Sequence, residues 1–133
     1  DRKNIIGFCR AAAKSTLFAH TNLGQAINLH WALYPDSRSK SKSDDESRKE
    51  IETVLSQRQN NWNRRADGPD QRFGASNLEE WKSMIEIASR TSNNPRLREQ
   101  IGDPNNVFTN ELIDEINAFD RAAVVRQARE FTL

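Results

Sequence analysis

The fold class is decided by residues 3–19, which read KNIIGFCRAAAKSTLFA. Apolar and small side chains recur here three and four positions apart, the spacing of one face of an amphipathic helix. The stripe consists of Ile5, Cys9, Ala12 and Thr16, with Ile6, Phe8 and Leu17 beside it. No stretch of the chain shows sustained period-two alternation with β-branched residues, which is the pattern of a half-buried strand. The sequence therefore predicts an all-α protein with little or no sheet.

Helix-starting signals recur outward from this stretch. A polar N-cap residue with Gln or Glu three positions later, the capping-box spacing, occurs at Asn22–Gln25, Ser43–Glu46 and Ser76–Glu79. The second helix ends at Pro35, because proline lacks the amide donor that a helix interior needs. We expect the third helix to run to about Arg65. The fourth is expected to bury Leu78, Trp81, Met84, Ile85 and Ala88.

The C-terminal part of the chain shows the clearest helix pattern. Thr109 is a suitable N-cap, and acidic residues in the first turns with arginines toward the end complement the helix dipole. We therefore expect one continuous last helix from Thr109 to about Arg129. Its apolar face would comprise Leu112, Ile116, Phe119 and Ala123. Before it, Leu97 and Ile101 could anchor one or two further turns.

The length of 133 residues fits one domain. We expect residues 1–133 to form a single compact bundle of five or six helices. Because the chain begins at Asp1 rather than Met, this domain can be a piece of a longer protein. Residues 35–45 contain no apolar side chain after Pro35 and alternate serine with basic residues, so they are predicted to form a mobile surface loop.

Charge is distributed unevenly along the chain. Residues 1–66 contain 12 Lys and Arg against 7 Asp and Glu, a net charge of +5. Residues 67–133 contain 8 against 12, a net charge of −4. A basic half favours polyanionic partners, and an acidic half can meet a basic surface on another copy.

Composition excludes several classes of protein. No apolar run is long enough to cross a bilayer, so no membrane partner is expected. Cys9 is the only cysteine, which excludes an internal disulfide and a multi-cysteine metal site and favours an intracellular location. Its place on the helical stripe predicts a small buried hydrophobe rather than a reactive thiol.

The sequence offers no compact catalytic or cofactor-binding motif. His20 and His30 lack HExxH spacing, the five glycines are isolated, and no GxSxG elbow occurs. His20 is expected to bond free carbonyls near the end of the first helix, and His30 to lie in the core or an interface. We therefore expect no catalytic residue, no metal ligand and no cofactor, and we favour a non-enzymatic role.

A metal-dependent nuclease is the third hypothesis for function. Glu111 and Glu115 share a helix face and could hold a divalent ion if another helix supplied further ligands. Asp67 and Asp70 beside Arg72 could also be imagined as a nuclease site, although the Gly-Pro turn between the two acids explains them without chemistry. Acidic first turns also arise from the helix dipole alone.

Residues 57–73, QRQNNWNRRADGPDQRF, predict a nucleic-acid-binding surface. Basic side chains contact phosphates, amides contact sugars or base edges, and aromatic rings stack on unpaired bases. The predicted binding residues are Lys40, Lys42, Arg58, Asn61, Trp62, Arg64, Arg65 and Arg72. Phe73 is a further stacking candidate. Trp62 also lies on the inward stripe of its helix, so a core position is the alternative for it.

Protein–protein interaction or self-assembly, as a coat-like or adaptor subunit, is the main alternative function. Trp31 and Tyr34 near the end of the second helix, and Trp81 in the fourth, are side chains of the kind that anchor interfaces. All three could instead complete a single core. The sequence therefore predicts a nucleic-acid partner within a larger assembly, with a protein partner or a homo-oligomer as the alternative.

Overall fold

The structure, a computed structural model, describes residues 1–63, 72–94 and 96–133, with the backbone alone for residues 59–63. Within these ranges the chain forms seven α-helices and no strand. The helices are α1 (Arg2–Thr21), α2 (Leu23–Leu33), α3 (Asp44–Asn63), α4 (Leu78–Thr91), α5 (Leu97–Ile101), α6 (Ile113–Asn117) and α7 (Arg121–Glu130). Short 3-10 helices cover Pro35–Ser37 and Pro104–Val107. The predicted all-α bundle is confirmed.

Helix α1 is the centre of the bundle, since it packs against α2, α6 and α7. One buried cluster consists of Ala13, Ala75, Ile113 and Ile116, with Cys9, Phe73, Leu112 and Phe119 packed against it. The half-buried thiol of Cys9 therefore contributes to the core, as predicted. No helix in the described ranges is both long and apolar enough to span a membrane.

Of the three N-caps predicted from capping-box spacing, those at Asn22 and Ser43 are confirmed. The amide N–H of Glu46 donates to Ser43 Oγ at 3.3 Å, and the N–H of Ser43 donates to Glu46 Oε2 at 2.9 Å, which completes a capping box. Asn22 Oδ1 accepts from the N–H of Gln25 at 3.3 Å and starts α2. Each hydrogen bond satisfies a backbone donor that the first turn of a helix leaves without an intrahelical partner.

The prediction that Ser76 caps α4 is wrong. Asn77 takes that place, because its Oδ1 accepts from the N–H of Glu79 at 2.8 Å. The backbone of Ser76 is used elsewhere. Its N–H donates to Asn110 Oδ1 and its carbonyl accepts from Asn110 Nδ2, both at 2.9 Å. A long-range contact therefore overrides the local capping signal.

The prediction of one continuous last helix is also wrong, because the chain breaks between α6 and α7. Asp120 caps α7 by accepting from the N–H of Ala123 at 2.9 Å. Asn117, at the end of α6, accepts from the N–H of Phe73 at 2.9 Å and donates to its carbonyl at 3.1 Å. Thr109 Oγ1 accepts from the N–H of Glu111 at 3.2 Å, in the turn before α6. The break lets both short helices pack on α1.

The C-terminal segment is attached to the corner between α1 and α2. Asn22 Nδ2 donates to the carbonyl of Ala128 at 2.7 Å, and Gln25 Oε1 accepts from the N–H of Leu133 at 3.1 Å. The rings of Phe18 and Phe131 meet edge to face with centroids 5.4 Å apart. This geometry is favourable for aromatic rings and fixes α7 alongside α1.

Some side chains predicted to be buried are exposed. Met84 of α4 is 57% exposed, and His30 lies on the exposed face of α2 beside Tyr34, with ring centroids 5.3 Å apart. The core alternative for His30 is therefore wrong. Helix α4 packs chiefly on α5 and the 3-10 helix Pro104–Val107. These two short helices cover only part of its apolar face. Ile85 alone in α4 is buried, at 8% exposure.

Candidate nucleic-acid interface

Three of the predicted binding residues, Lys40, Lys42 and Arg58, lie toward the two ends of α3 rather than on one patch. Lys40 and Lys42 precede the first residue of α3, and Arg58 lies within its C-terminal half. Because each residue advances a helix by roughly 1.5 Å, Arg58 lies about 21 Å along the axis from Asp44. The loop and the C-terminal half of α3 are therefore separate regions of the surface.

Most of the charge in the loop is compensated locally. Lys42 forms an ion pair with Glu50. Arg38 pairs with Asp44 at 3.2 Å, and its guanidinium lies 4.9 Å from the ring centre of Trp31. Lys40 is exposed and forms no ion pair with the described residues. Lys40 is thus the cation of this loop with the least competition for a ligand.

Trp31 joins the loop to the helices. Its ring is 3% exposed, and the guanidinium of Arg48 lies over it at 5.1 Å, in addition to that of Arg38. Arg48 also donates to the carbonyl of Gly24 at 3.2 Å and to Asn28 Oδ1 at 2.5 Å. Trp31 therefore completes the core between α2 and α3, and its alternative role as an exposed interface anchor is wrong.

A cleft of about 270 Å³ opens where α1, α2 and α3 meet. It is lined by Ser15, Thr16, Ala19, His20, Leu23, Leu55 and Arg58. The walls are mainly apolar, and no carboxylate is among these lining residues. Arg58 is exposed, and neither an ion pair nor a hydrogen bond joins its side chain to the described part of the chain. We call this feature the Arg58 cleft.

The Arg58 cleft arises from how α3 packs. Only Asn22 separates α1 from α2, so the two helices meet at a corner. In α3, Ser47 is 7% exposed, whereas Val54, seven residues later, is 49% exposed. The cleft lies beside the residues that follow Val54, where Leu55 and Arg58 line it.

His20 lies in the last turn of α1, where it was predicted, and lines the cleft. Burial lowers the pKa of its imidazole, because removing the ring from water disfavours the charged form. The ring is therefore neutral near pH 7.

The remaining predicted residues of the 57–73 stretch are described unequally. Asn61 and Trp62 lie on the α3 backbone, and Trp62 follows Leu55 and Arg58 at helical spacing. Nothing further is described of these two side chains. Arg64 and Arg65 lie outside the described residues, as do Asp67 and Asp70.

Arg72 and Phe73 lie against α6 and are not among the residues that line the cleft. Arg72 forms an ion pair with Asp114. Phe73 is half-buried against the core cluster, and the guanidinium of Arg121 lies 4.8 Å from its ring centre. One face of the ring is thus already occupied, which leaves Phe73 less suited to stack on a base than the sequence suggests.

The acidic pair proposed for a metal is used differently. Arg2 donates to Glu115 at 2.8 Å, and this hydrogen bond lowers the pKa of the Glu115 carboxyl. Among the described residues, no group of three or more His, Cys, Asp or Glu side chains is placed to hold a metal ion.

The Arg58 cleft is the feature that sequence reasoning missed. Thr16 was recognised as part of an amphipathic stripe, and His20 as a helix-end residue. The signal that they converge is the single-residue connection at Asn22, which forces a corner and brings the end of α1 close to the start of α2. The position of α3 beside that corner is set by packing, which no local pattern encodes.

Comparison with known proteins gives no further guide to this site. No protein-family model matches the chain, and neither a curated protein nor a solved structure matches it at a significant level.

Proposed function

We propose that this chain is a non-catalytic module that binds single-stranded nucleic acid through the C-terminal half of α3 and the adjoining cleft. The observation that carries the proposal is Arg58, an exposed cation with no described ion pair, at the rim of an apolar cleft without carboxylates. A guanidinium is well suited to contact a phosphate, because it offers several donors in a planar fork.

The sequence around Arg58 supports the same assignment. The chain continues from it through Asn61 and Trp62 to Arg64 and Arg65, which combine amide, aromatic and cationic groups within one short stretch. Such groups suit a flexible single strand, whose bases are unpaired and whose phosphates follow a groove. Lys40 offers a second phosphate contact at the other end of α3.

Two predicted residues contribute less under this proposal. Lys42 and Arg72 each have an ion pair within the chain, so a phosphate must compete with Glu50 or Asp114 for them. Both pairs are exposed, and exposed pairs are worth only about 0–1 kcal/mol, so this competition lowers the gain without abolishing it.

The test is fluorescence anisotropy with a labelled single-stranded 12-mer across a salt series. We expect the affinity of the wild-type chain to fall steeply as salt rises, because each phosphate contact releases counterions. Arg58→Glu should weaken binding and reduce the slope of log K against log salt by roughly 0.7, the share of one phosphate contact on a single strand.

Arg98→Glu is the matched control. Arg98 is an exposed arginine on α5, which packs with α4 rather than with the cleft, and its reversal changes net charge by the same amount. If the two variants lose the same affinity, only net charge matters and the assignment to Arg58 is wrong. If the wild-type chain shows no binding at low salt, the nucleic-acid proposal itself fails.

Self-association or binding of a protein partner is the second candidate, and a different observation favours it. The described residues include nine exposed large hydrophobics against seven buried ones, and exposed apolar patches are typical of interaction surfaces. On α1, Ile5 is 52% and Phe8 77% exposed, and on α4, Met84 and Ile87 are 57% and 62% exposed. Light scattering over a concentration series tests this candidate, since self-association predicts a mass that rises with concentration and falls in Phe8→Ser.

A further inference from the structure

We infer that the Arg58 cleft holds one unpaired base of the bound strand, while the Arg58 guanidinium contacts a neighbouring phosphate. This inference rests on the proposed function and adds the part of the ligand that enters the cleft. Its support comes from the size of the cleft, the chemistry of its walls and the position of the cation.

The size of the cleft favours one small planar group. Its volume is about 270 Å³. Sites for drug-sized ligands span roughly 300–1,000 Å³, so this cleft lies just below that range. A single base therefore suits it better than a nucleoside with its sugar and phosphate, which would have to remain at the rim beside Arg58.

The walls match the two kinds of surface that a base presents. Ala19, Leu23 and Leu55 supply apolar surface for the faces of the ring. Ser15 supplies a hydroxyl group, which can donate and accept a hydrogen bond at the base edge. Apolar contact with the ring faces tolerates any base, because every base has a π-face.

Charge favours a nucleic-acid occupant over an apolar peptide side chain. Arg58 has no described ion pair, and none of the described residues that line the cleft is a carboxylate that would repel a phosphate. The two histidines of the chain also differ in position, since His20 lines the cleft and His30 is exposed beside Tyr34. This difference provides an internal control for locating the base.

The first experiment is proton NMR of the two imidazole Cε1–H signals of the full chain, titrated with a thymidine 12-mer. A base in the cleft places its ring current beside His20, so the His20 signal should shift and the His30 signal should not. His20→Gln and His30→Gln assign the signals. A shift of neither signal on saturation with the oligomer would overturn the base assignment, as would equal shifts of both.

The second experiment separates base contact from phosphate contact without changing the protein. An abasic 12-mer has the same number of phosphates as the thymidine 12-mer but no bases. Stacking of one base corresponds to at least about a fivefold change in affinity. We expect the abasic oligomer to bind at least fivefold more weakly, with an unchanged salt slope. Equal affinities of the two oligomers would overturn the inference.

A variant that fills the cleft tests its location. Ala19→Leu adds a larger side chain inside the cleft, and Ala12→Leu makes the same change two turns earlier on an exposed position of α1. We expect Ala19→Leu to abolish the fivefold preference for the base-containing oligomer and Ala12→Leu to retain it. Far-ultraviolet circular dichroism checks that both variants fold, and the abasic comparison stands if either does not.

The outcomes distinguish this inference from the function on which it rests. Absence of any salt-dependent binding to either oligomer contradicts the proposed function. Salt-dependent binding with an unshifted His20 signal and equal affinities for both oligomers leaves the proposed function intact and overturns the base site. If the protein self-associates as its concentration rises, and the His20 signal shifts without added oligonucleotide, the cleft binds a second copy of the chain. That result would also overturn the base site.

Discussion

The two sides of α1 use their polar side chains differently. On the closed side, which packs on α6 and α7, Arg10 donates through Nε and Nη2 to the carbonyl of Glu115 at 3.1 and 2.5 Å. On the open side, which forms the Arg58 cleft with α2 and α3, Arg58 has no described partner. An arginine that satisfies a backbone carbonyl stabilises the fold, whereas one at an open rim is available to a ligand.

The closed side should therefore govern stability, and the open side should govern binding. Two asparagine side chains on the closed side hydrogen-bond to the backbone of another segment. Asn110 pairs with the N–H and the carbonyl of Ser76, and Asn117 pairs with those of Phe73. Removing either asparagine side chain would lower the free energy of unfolding, because the backbone groups would lose their hydrogen-bond partners.

The largest effect is expected at the closed side's core. Ile113 is 3% exposed and belongs to the buried cluster. Ile113→Ala should lower the free energy of unfolding by about 2–5 kcal/mol, because it removes buried methyl groups and leaves a cavity. Urea denaturation measures the loss. A stability loss under 1 kcal/mol would show that this cluster is not the core.

A smaller loss of stability is expected when the hydrogen bonds between Asn117 and Phe73 on the closed side are removed. Asn117→Ala deletes the hydrogen bonds to both backbone groups of Phe73 and should lower the free energy of unfolding by about 1–3 kcal/mol. Asn106→Ala is the control, because the described contact of exposed Asn106 is made by its backbone N–H to Asp103. Equal stability of the two variants in urea would show that the hydrogen bonds of Asn117 to Phe73 do not stabilise the fold.

The open side should show the opposite behaviour. Arg58→Glu should change the free energy of unfolding by less than about 0.5 kcal/mol, since it is a surface change away from any described contact. The same variant should weaken oligonucleotide binding. A large stability loss from Arg58→Glu would show that the side chain has a structural role and would remove the contrast between the two sides.

The smallest effect concerns His20. Its pKa is lowered from 6.5 in the folded chain, so the unfolded chain binds more protons as pH falls through that value. Stability should therefore fall below about pH 6.5, because protonation favours the unfolded state. His20→Gln should flatten this dependence of the free energy of unfolding on pH, whereas His30→Gln should not. If the free energy of unfolding depended on pH in the same way in the wild type and His20→Gln, this role of His20 would be contradicted.

Local signals predicted what local forces determine. The capping box of Ser43 and Glu46 and the end of α2 before Pro35 depend on residues within one turn, and the structure confirms both. The break after α6 depends on Asn117, whose partner Phe73 lies 44 residues away. No periodicity reports such a contact, so the sequence predicted one helix where two exist.

The candidate site divides in the same way. Arg58 was selected from the sequence because amides, cations and an aromatic ring surround it. The cleft beside it requires Ala19 on α1 and Leu23 on α2 to meet α3, and this convergence depends on the packing of three helices. The ion pair between Lys42 and Glu50 is likewise a contact of the folded chain. It makes Lys42 a weaker candidate for binding than the sequence predicted.

The central claim is that the open side binds nucleic acid through Arg58. Its most direct measurement is the salt dependence of single-stranded oligonucleotide binding by the wild type, Arg58→Glu and Arg98→Glu under identical conditions. The account predicts steep salt dependence for the wild type and Arg98→Glu, with a slope smaller by roughly 0.7 and lower affinity for Arg58→Glu. Binding by Arg58→Glu that equals that of Arg98→Glu at every salt concentration would contradict it.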